Sequence, residues 1–82
     1  MPEISASALK SMRALPEPLR RRAAEIIRCL DVEPALGKKL KGKLAGSRSV
    51  RLGRSHRIIY TSTSTAGTVR VTAIRPRRDA YR

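Results

Sequence analysis

Apolar residues recur at helical spacing through the first part of the chain. One stripe predicts a helix over about residues 6–14, capped by Ser5 or Ser7, and it consists of Ala8, Met12 and Leu15. A longer stripe predicts a second helix from Glu17 to about Asp31, and it consists of Leu19, Ala23, Ile26, Ile27 and Leu30. A Pro-containing junction separates the two helices. We therefore expect a helical hairpin with one buried seam.

After residue 46 the apolar spacing changes from helical to alternating. In a first strand Val50 and Leu52 point inward, and two later segments rich in Ile, Val, Tyr and Thr predict further strands at Arg57–Ser62 and Thr68–Ile74. Turns are expected at Gly53–Ser55 and Ser64–Gly67, and a short edge strand within Met1–Ser5. The predicted fold is α+β, an N-terminal helical hairpin packed on one face of a small antiparallel sheet, as one domain over residues 1–82.

Positive charge is concentrated in the second half of the chain. The chain has 19 Lys and Arg against six Asp and Glu, a formal net charge of +13. Residues 1–37 contain six bases and five acids, whereas residues 38–82 contain 13 bases and a single acid, Asp79. A basic half without acidic counterweights repels itself, and its usual partner is a polyphosphate or an acidic protein. Composition thus indicates a nucleic-acid or acidic-protein partner.

Several kinds of chemistry are excluded by the residues that the chain lacks. One His and one Cys cannot build a zinc site of ordinary spacing, and few acids leave little room for two-metal or paired-carboxylate chemistry. There is no Gly-rich phosphate loop. A lone cysteine and the lack of a long apolar run predict a soluble, cytoplasmic protein that binds no membrane, and we expect no metal and no cofactor.

Cations, hydroxyls, His56 and two tyrosines remain, and this inventory suits RNA cleavage by the RNA's own 2′-hydroxyl. The reaction needs a group to take the 2′ proton, donors for the crowded phosphorane and an acid for the leaving 5′ oxygen. Arginine supplies forked donors that match phosphate oxygens. A tyrosine in such a cluster would have its phenolate favoured by the neighbouring positive charge.

Two segments of the second half resemble the RelE branch of the RelE/ParE toxin superfamily. They are LKGKLAGSRSVRLGRSHRIIY at residues 40–60 and VTAIRPRRDAYR at residues 71–82. They match a leucine–basic–glycine opening, a basic strand, a strand with Arg before Ile-Ile-Tyr, and a final strand that runs into an Arg-and-Tyr ending. The front segment SASALKSMRALPEPLRRRAAEII is similar to the family's paired helices. The resemblance covers nearly the whole chain, and only its combination of motifs is specific.

The resemblance implies a set of catalytic residues. Arg51 and Arg57 would hold the scissile phosphate, and Arg77 would stabilise or protonate the leaving group. Tyr81 would act as the base or as a platform on which a nucleobase stacks. Further contacts to RNA are expected from a basic set that comprises Lys39, Lys41, Lys43, Arg48, Arg54, His56 and Arg78.

Two positions depart from the family pattern. Ser49 stands where several members carry a second strand lysine, so that contact is weakened or re-routed. Pro76 stands where many members have a histidine before the Arg-and-Tyr ending, which removes a possible acid. The second departure puts the scheme of proton transfer in doubt.

The resemblance implies the toxin of a type II toxin–antitoxin system, a metal-independent endoribonuclease that cleaves messenger RNA in the ribosome. Its partner would be an acidic or amphipathic antitoxin of the RelB kind. One alternative is a DNA gyrase inhibitor of the ParE branch, which has the same fold. Another is a non-catalytic basic RNA-binding protein, although only two aromatic residues argue against a base-stacking module.

Overall fold

The computed structural model describes residues 3–42, 45–62 and 68–76. Two helices and five strands follow one another as β1 (Glu3–Ile4), α1 (Ala6–Arg13), α2 (Glu17–Val32), β2 (Lys38–Lys39), β3 (Arg48–Leu52), β4 (His56–Ser62) and β5 (Val69–Pro76). Both predicted helices and the three predicted central strands are confirmed to within two residues at their ends, and so is the edge strand near the N-terminus. The predicted loop at 64–67 lies outside the described residues.

Ser5 caps the first helix. Its hydroxyl accepts a hydrogen bond from the backbone N–H of Ala8 at 3.1 Å and donates one to the carbonyl of Thr72, also at 3.1 Å. The first contact satisfies one of the free N–H groups at the helix start, and the second ties this helix end to β5. Of the two predicted caps, Ser5 is therefore the correct one, and Ser7 is exposed.

Replacing the cap should measurably lower stability. We expect Ser5→Ala to reduce the free energy of unfolding by about 1 kcal/mol, because two hydrogen bonds are lost at one hydroxyl. Urea unfolding followed by circular dichroism measures this change. Ser7→Ala is the matched control, and an equal loss in both variants would contradict the assignment of the cap.

The second helix buries one face and exposes a basic one. Its buried residues are Ala23, Ile26, Ile27 and Leu30, which lie at the predicted helical spacing. Two exposed ion pairs, Arg21 with Glu17 and Arg22 with Glu25, lie on its outer surface. Such exposed pairs contribute little to stability, so packing of the apolar face holds the helix in place. Neither helix in the described part of the chain is long and apolar enough to cross a membrane.

The strands form one sheet in the order β1-β5-β4-β3-β2. Each strand from β2 to β5 pairs antiparallel with the next one along the chain, whereas β1 pairs with β5 in parallel. The sheet is therefore mixed and not antiparallel throughout, as was predicted. In the sequence, the two helices separate β1 from the other four strands. This long connection allows β1 to pair with β5 in parallel. Strand β2 was not predicted, because two lysines carry no strand signal.

One face of the sheet packs against both helices. Its fully buried side chains are Leu52, Ile58, Tyr60, Val69 and Val71, and they form one core cluster with the apolar residues of α1 and α2. The strand alternation predicted for the first central strand is confirmed, since Leu52 is buried and Arg51 is exposed. Gly53, with φ of +63°, begins the predicted turn that follows.

A β-bulge interrupts the pairing of β4 with β5. Tyr60 lies opposite Val71, but Ile59 lies opposite Ala73, so Thr72 is an extra residue on β5. The Thr72 hydroxyl donates to the carbonyl of Ile59 at 3.2 Å. Because side chains alternate along a strand, the extra residue reverses which side chains of β5 face the helices. Before the bulge Val71 faces them, and after it Ile74 does.

Tyr60 is a core residue, and its hydroxyl joins the sheet to the segment that precedes β2. The hydroxyl accepts from the N–H of Gly37 at 2.7 Å and donates to the carbonyl of Pro34 at 2.8 Å. A Cβ at residue 37 would lie 2.7 Å from that hydroxyl oxygen. Only glycine therefore allows so close an approach to the ring.

Candidate nucleic-acid interface

The face of the sheet that points away from the helices, called here the distal face, carries arginines from three adjacent strands. Leu52, Ile58 and Ile74 face the helices. Since successive side chains point to opposite faces, the neighbouring Arg51, Arg57 and Arg75 point to the distal face.

The pairing register places these three arginines directly beside one another. Arg57 on β4 lies opposite Arg51 on β3 and opposite Arg75 on β5. Neighbouring strands are about 5 Å apart, so the three Cα atoms form a row roughly 10 Å long across the sheet. We call Arg51, Arg57 and Arg75 the arginine row.

Arg57, at the centre of the row, is half-buried, whereas Arg51 and Arg75 are exposed. Its Nη1 donates to the hydroxyl of Ser49 at 3.3 Å, and Ser49 is only 2% exposed. The residue that departs from the family pattern is thus a support for the central guanidinium. A short hydroxyl side chain at this position leaves room for Arg57 to lie over β3.

The two outer arginines of the row have no neutralising acid within the described residues. In residues 3–42, 45–62 and 68–76, the ion pairs lie only on the outer side of α2, and none involves Arg51 or Arg75. Like charges directly opposite one another in a sheet destabilise it. A bound phosphate would remove that repulsion, since its oxygens accept from several guanidinium groups at once.

Glu3 is the single acid within the described strands, and it lies away from the arginine row. It is opposite Arg70, which also pairs with Thr61 on β4. Thr61 is four residues from Arg57, which corresponds to roughly 14 Å along the strand. The Glu3 carboxylate is therefore too distant to take a proton from a nucleotide bound at the row.

Arg48 lies on the helix-facing side of the sheet, opposite to the arginine row. Its Nη1 donates to the carbonyl of Gly37 at 2.8 Å and to that of Ala35 at 3.4 Å. Its role in the structure is to hold the segment before β2, and the structure does not bring it to the row. Lys39 pairs with Arg48 and is exposed, and Lys41 is exposed just beyond β2.

The turn between β3 and β4 holds two further predicted contact residues. Arg54 is exposed in this turn. His56 pairs with Leu52 and Pro76, so its side chain is on the helix-facing side, where its Nδ1 lies 2.8 Å from the hydroxyl of Ser55. Neither residue belongs to the arginine row.

Four predicted site residues lie outside the described residues, and their roles stay predictions. They are Lys43, Arg77, Arg78 and Tyr81. Within the described residues no three His, Cys, Asp or Glu side chains come together as metal ligands.

Arg75 is the site residue that sequence reasoning missed. Counting alternate residues from Val69 and Val71 would direct residues 73 and 75 toward the helices. The bulge at Thr72 reverses this order and brings Arg75 beside Arg57. A signal was present in Ile74, a large apolar residue whose burial requires that Arg75 point outward.

The site is thus a row of arginines on the face away from the helices, in a small basic α+β protein. No protein-family model matches the sequence. No curated protein matches it either.

Solved structures match the fold over nearly the whole chain. The toxin–antitoxin complex RelBE2 from Mycobacterium tuberculosis has a TM-score of 0.82 and 27% identity, and the match covers 92% of this chain and 94% of that one. The YoeB/ParE toxin from Agrobacterium tumefaciens has a TM-score of 0.81 and 21% identity, with 93% and 98% covered. The RelE–RelB complex from Pyrococcus horikoshii has a TM-score of 0.76 and 25% identity, with 95% and 94% covered. The chain has the fold of the RelE/ParE toxin superfamily, and the resemblance is confirmed at that level.

Proposed function

We propose that this chain is the toxin of a type II toxin–antitoxin system and acts as a metal-independent endoribonuclease on messenger RNA. The observation that carries the proposal is the arginine row, three guanidinium side chains in register on one sheet face. The fold supports it, because similar structures are toxins solved with their antitoxins.

In this proposal the arginine row binds the scissile phosphodiester. The RNA's 2′-oxygen attacks phosphorus, a new P–O2′ bond forms and the P–O5′ bond breaks, which leaves a cyclic phosphate and a 5′-hydroxyl. Negative charge builds up on the equatorial oxygens of the phosphorane. Arg57, held by Ser49, donates to those oxygens from the centre of the row, with Arg51 and Arg75 on either side.

Two proton transfers complete the reaction, and we assign them on the resemblance. Tyr81 would take the 2′ proton, or stack on a base, and Arg77 would stabilise or protonate the leaving 5′ oxygen. Pro76, an exposed residue at the end of β5, cannot supply a proton where many family members have a histidine. In the ribosome the bound messenger RNA is already oriented, which reduces what the protein itself must contribute.

The partner that we propose is an acidic or amphipathic antitoxin of the RelB kind. A chain of net charge +13 favours a partner of negative charge, and the similar RelBE2 structure is a toxin–antitoxin complex while the similar archaeal structure is a RelE–RelB complex. Binding over the arginine row would prevent access of RNA.

Mapping of transcript ends tests the proposed activity. The protein is induced briefly in a bacterium, and the 5′ ends of transcripts are mapped for the wild type, for Arg75→Ala and for Tyr81→Phe. We expect cuts within coding regions for the wild type and a strong reduction for both variants, since Arg75→Ala removes a donor to the phosphate and Tyr81→Phe removes the hydroxyl that would take the 2′ proton.

Arg20→Ala, which removes an exposed arginine of α2, is the matched control and should cut like the wild type. Intact transcripts with arrested chromosome replication would instead favour a gyrase inhibitor of the ParE kind. Intact transcripts without an effect on growth would favour a non-catalytic RNA-binding protein.

A further inference from the structure

A further arginine lies on the distal face, at the other end of β5 from the arginine row. Val69 and Val71 are fully buried in the core that faces the helices, so Arg70 between them points to the distal face, where it is exposed. Arg70 lies opposite Thr61 on β4 and opposite Glu3 on β1. The distal face therefore carries positive charge at two places along its strands.

The β-bulge in β5 places Arg70 and Arg75 on the same face. The two residues are five positions apart, and in a regular strand residues an odd number of positions apart point to opposite faces. Thr72 is the extra residue that changes this order. Arg75 and Arg70 thus lie opposite Arg57 and Thr61, which are four residues apart on β4. Arg70 is therefore roughly 14 Å from the arginine row, measured along the strands.

The surface between the arginine row and Arg70 is uncharged. On this part of the distal face Ile59 of β4 lies between Ser49 of β3 and Ala73 of β5. Ser49 and Ile59 are only 2% and 3% exposed, so neither side chain stands out from the sheet. None of the three carries a carboxylate that would repel a phosphate. A strand of nucleotides can therefore pass from one cationic position to the other.

The guanidinium group of Arg70 is available to a ligand. Among the residues that the structure describes, Arg70 takes part in no ion pair, although Glu3 lies beside it on β1. Its donors can therefore bind the oxygens of a phosphate. Glu3 lies on the side of β5 away from β4, so RNA that crossed β1 would meet its carboxylate. The favourable path for RNA thus stays over β4 and β5.

We propose that Arg70 is a second phosphate-binding residue, and that a single strand of RNA runs along β4 and β5 from the arginine row to Arg70. A stacked strand advances about 3.4 Å per nucleotide, so roughly 14 Å corresponds to about four nucleotide steps, and to fewer in an extended strand. Arg70 is a positioning residue, because it holds a phosphate remote from the reacting atoms. Its part in cleavage rests on the proposed function.

The binding of short RNAs of two lengths to the full-length protein tests this path. The longer probe is a chain of six uridines, whose five internucleotide phosphates span four steps. The shorter probe is a dinucleotide of uridine with a single phosphate. Both carry 2′-O-methyl groups, so that no 2′-hydroxyl can cleave them. Fluorescence anisotropy measures the affinity for the labelled longer probe, and NMR titration measures the affinity for the dinucleotide.

Arg70→Gln should weaken binding of the longer probe about eightfold at about 0.05 M salt and lower the slope of log affinity against log salt by about 0.7, the value for one phosphate of a single strand. Binding of the dinucleotide should not change, because the three arginines of the row hold a single phosphate better than Arg70 does. Arg70→Lys keeps the charge and should keep the slope. Arg20→Gln, at an exposed arginine of α2, is the matched control and should change neither affinity. Circular dichroism checks that the variants fold.

An unchanged slope in Arg70→Gln would overturn the proposal, and so would an equal loss in Arg20→Gln or an equal loss for the dinucleotide. No measurable binding of the longer probe by the wild type would overturn it too. Arg75→Ala separates this inference from the proposed function. If Arg75→Ala weakens both probes and Arg70→Gln weakens neither, only the path is wrong. If Arg75→Ala weakens neither probe, the arginine row does not bind phosphate and the proposed function fails as well.

Discussion

Arg57→Ala is expected to lower the rate of RNA cleavage by a factor on the order of 10² to 10³, the cost of removing one positioned donor to a charged transition state. Arg57 is the central member of the arginine row and the one that Ser49 holds in place. A reconstituted translation reaction with a defined messenger RNA measures the rate, with primer extension to quantify the cut product.

Two further variants test whether the lower cleavage rate of Arg57→Ala comes from the loss of the guanidinium group, which can donate two parallel hydrogen bonds to a phosphate. Arg57→Lys keeps the charge but lacks the fork, so it should recover only part of the rate. Ser49→Ala removes one hydrogen bond to the guanidinium of Arg57 and should have a smaller effect than the loss of Arg57. Arg20→Ala is the control for a simple loss of positive charge, and a rate for Arg57→Ala equal to that of this control would refute a role at the phosphate.

Changes at the contact between Tyr60 and Gly37 should have the largest effect on stability. Tyr60→Phe leaves the buried N–H of Gly37 without its acceptor, which should lower the free energy of unfolding by about 1–3 kcal/mol. Gly37→Ala should cost a similar ~1–3 kcal/mol, since the new Cβ meets the Tyr60 hydroxyl oxygen at 2.7 Å and the carbonyl of Ser49 at 3.0 Å. The urea concentration at the midpoint of unfolding measures both changes, provided that the slope of the free energy of unfolding against urea stays the same.

The double variant provides a sharper check on this contact. Tyr60→Phe removes the hydroxyl that the new Cβ of Gly37→Ala would meet. The double variant should therefore lose less free energy of unfolding than the sum of the losses in the two single variants. Ser62→Ala, which removes an exposed hydroxyl from the same strand, should change the midpoint little. Strictly additive losses would mean that the two groups do not interact as the distances indicate.

The helices and central strands could be predicted because their residues carry local signals. Ala23, Ile26 and Leu30 repeat at helical spacing, and Leu52 alternates with Arg51. Strand β2 could not be predicted, since two residues have no period and lysine does not favour strands. The direction of β1 could not be predicted either, because it depends on contacts across 67 residues of sequence between Glu3 and Arg70.

The candidate site was predictable in part. The family resemblance implied Arg51 and Arg57, and the structure places them side by side on two neighbouring strands. Arg48 has an equally basic side chain, but its contacts with the carbonyls of Ala35 and Gly37 depend on the path of a loop. Sequence patterns do not contain that path. Arg75 was missed because a bulge has no reliable signature in a single sequence.

The extra residue in β5 makes this strand tolerant of the loss of one codon. Thr72 has no partner of its own on β4, because Val71 lies opposite Tyr60 and Ala73 lies opposite Ile59. An in-frame deletion of Thr72 would join Val71 to Ala73, and regular pairing would then still place Ile74 opposite Ile58 and Arg75 opposite Arg57. Evolution could therefore shorten the strand by one residue without moving an arginine to the other face of the sheet.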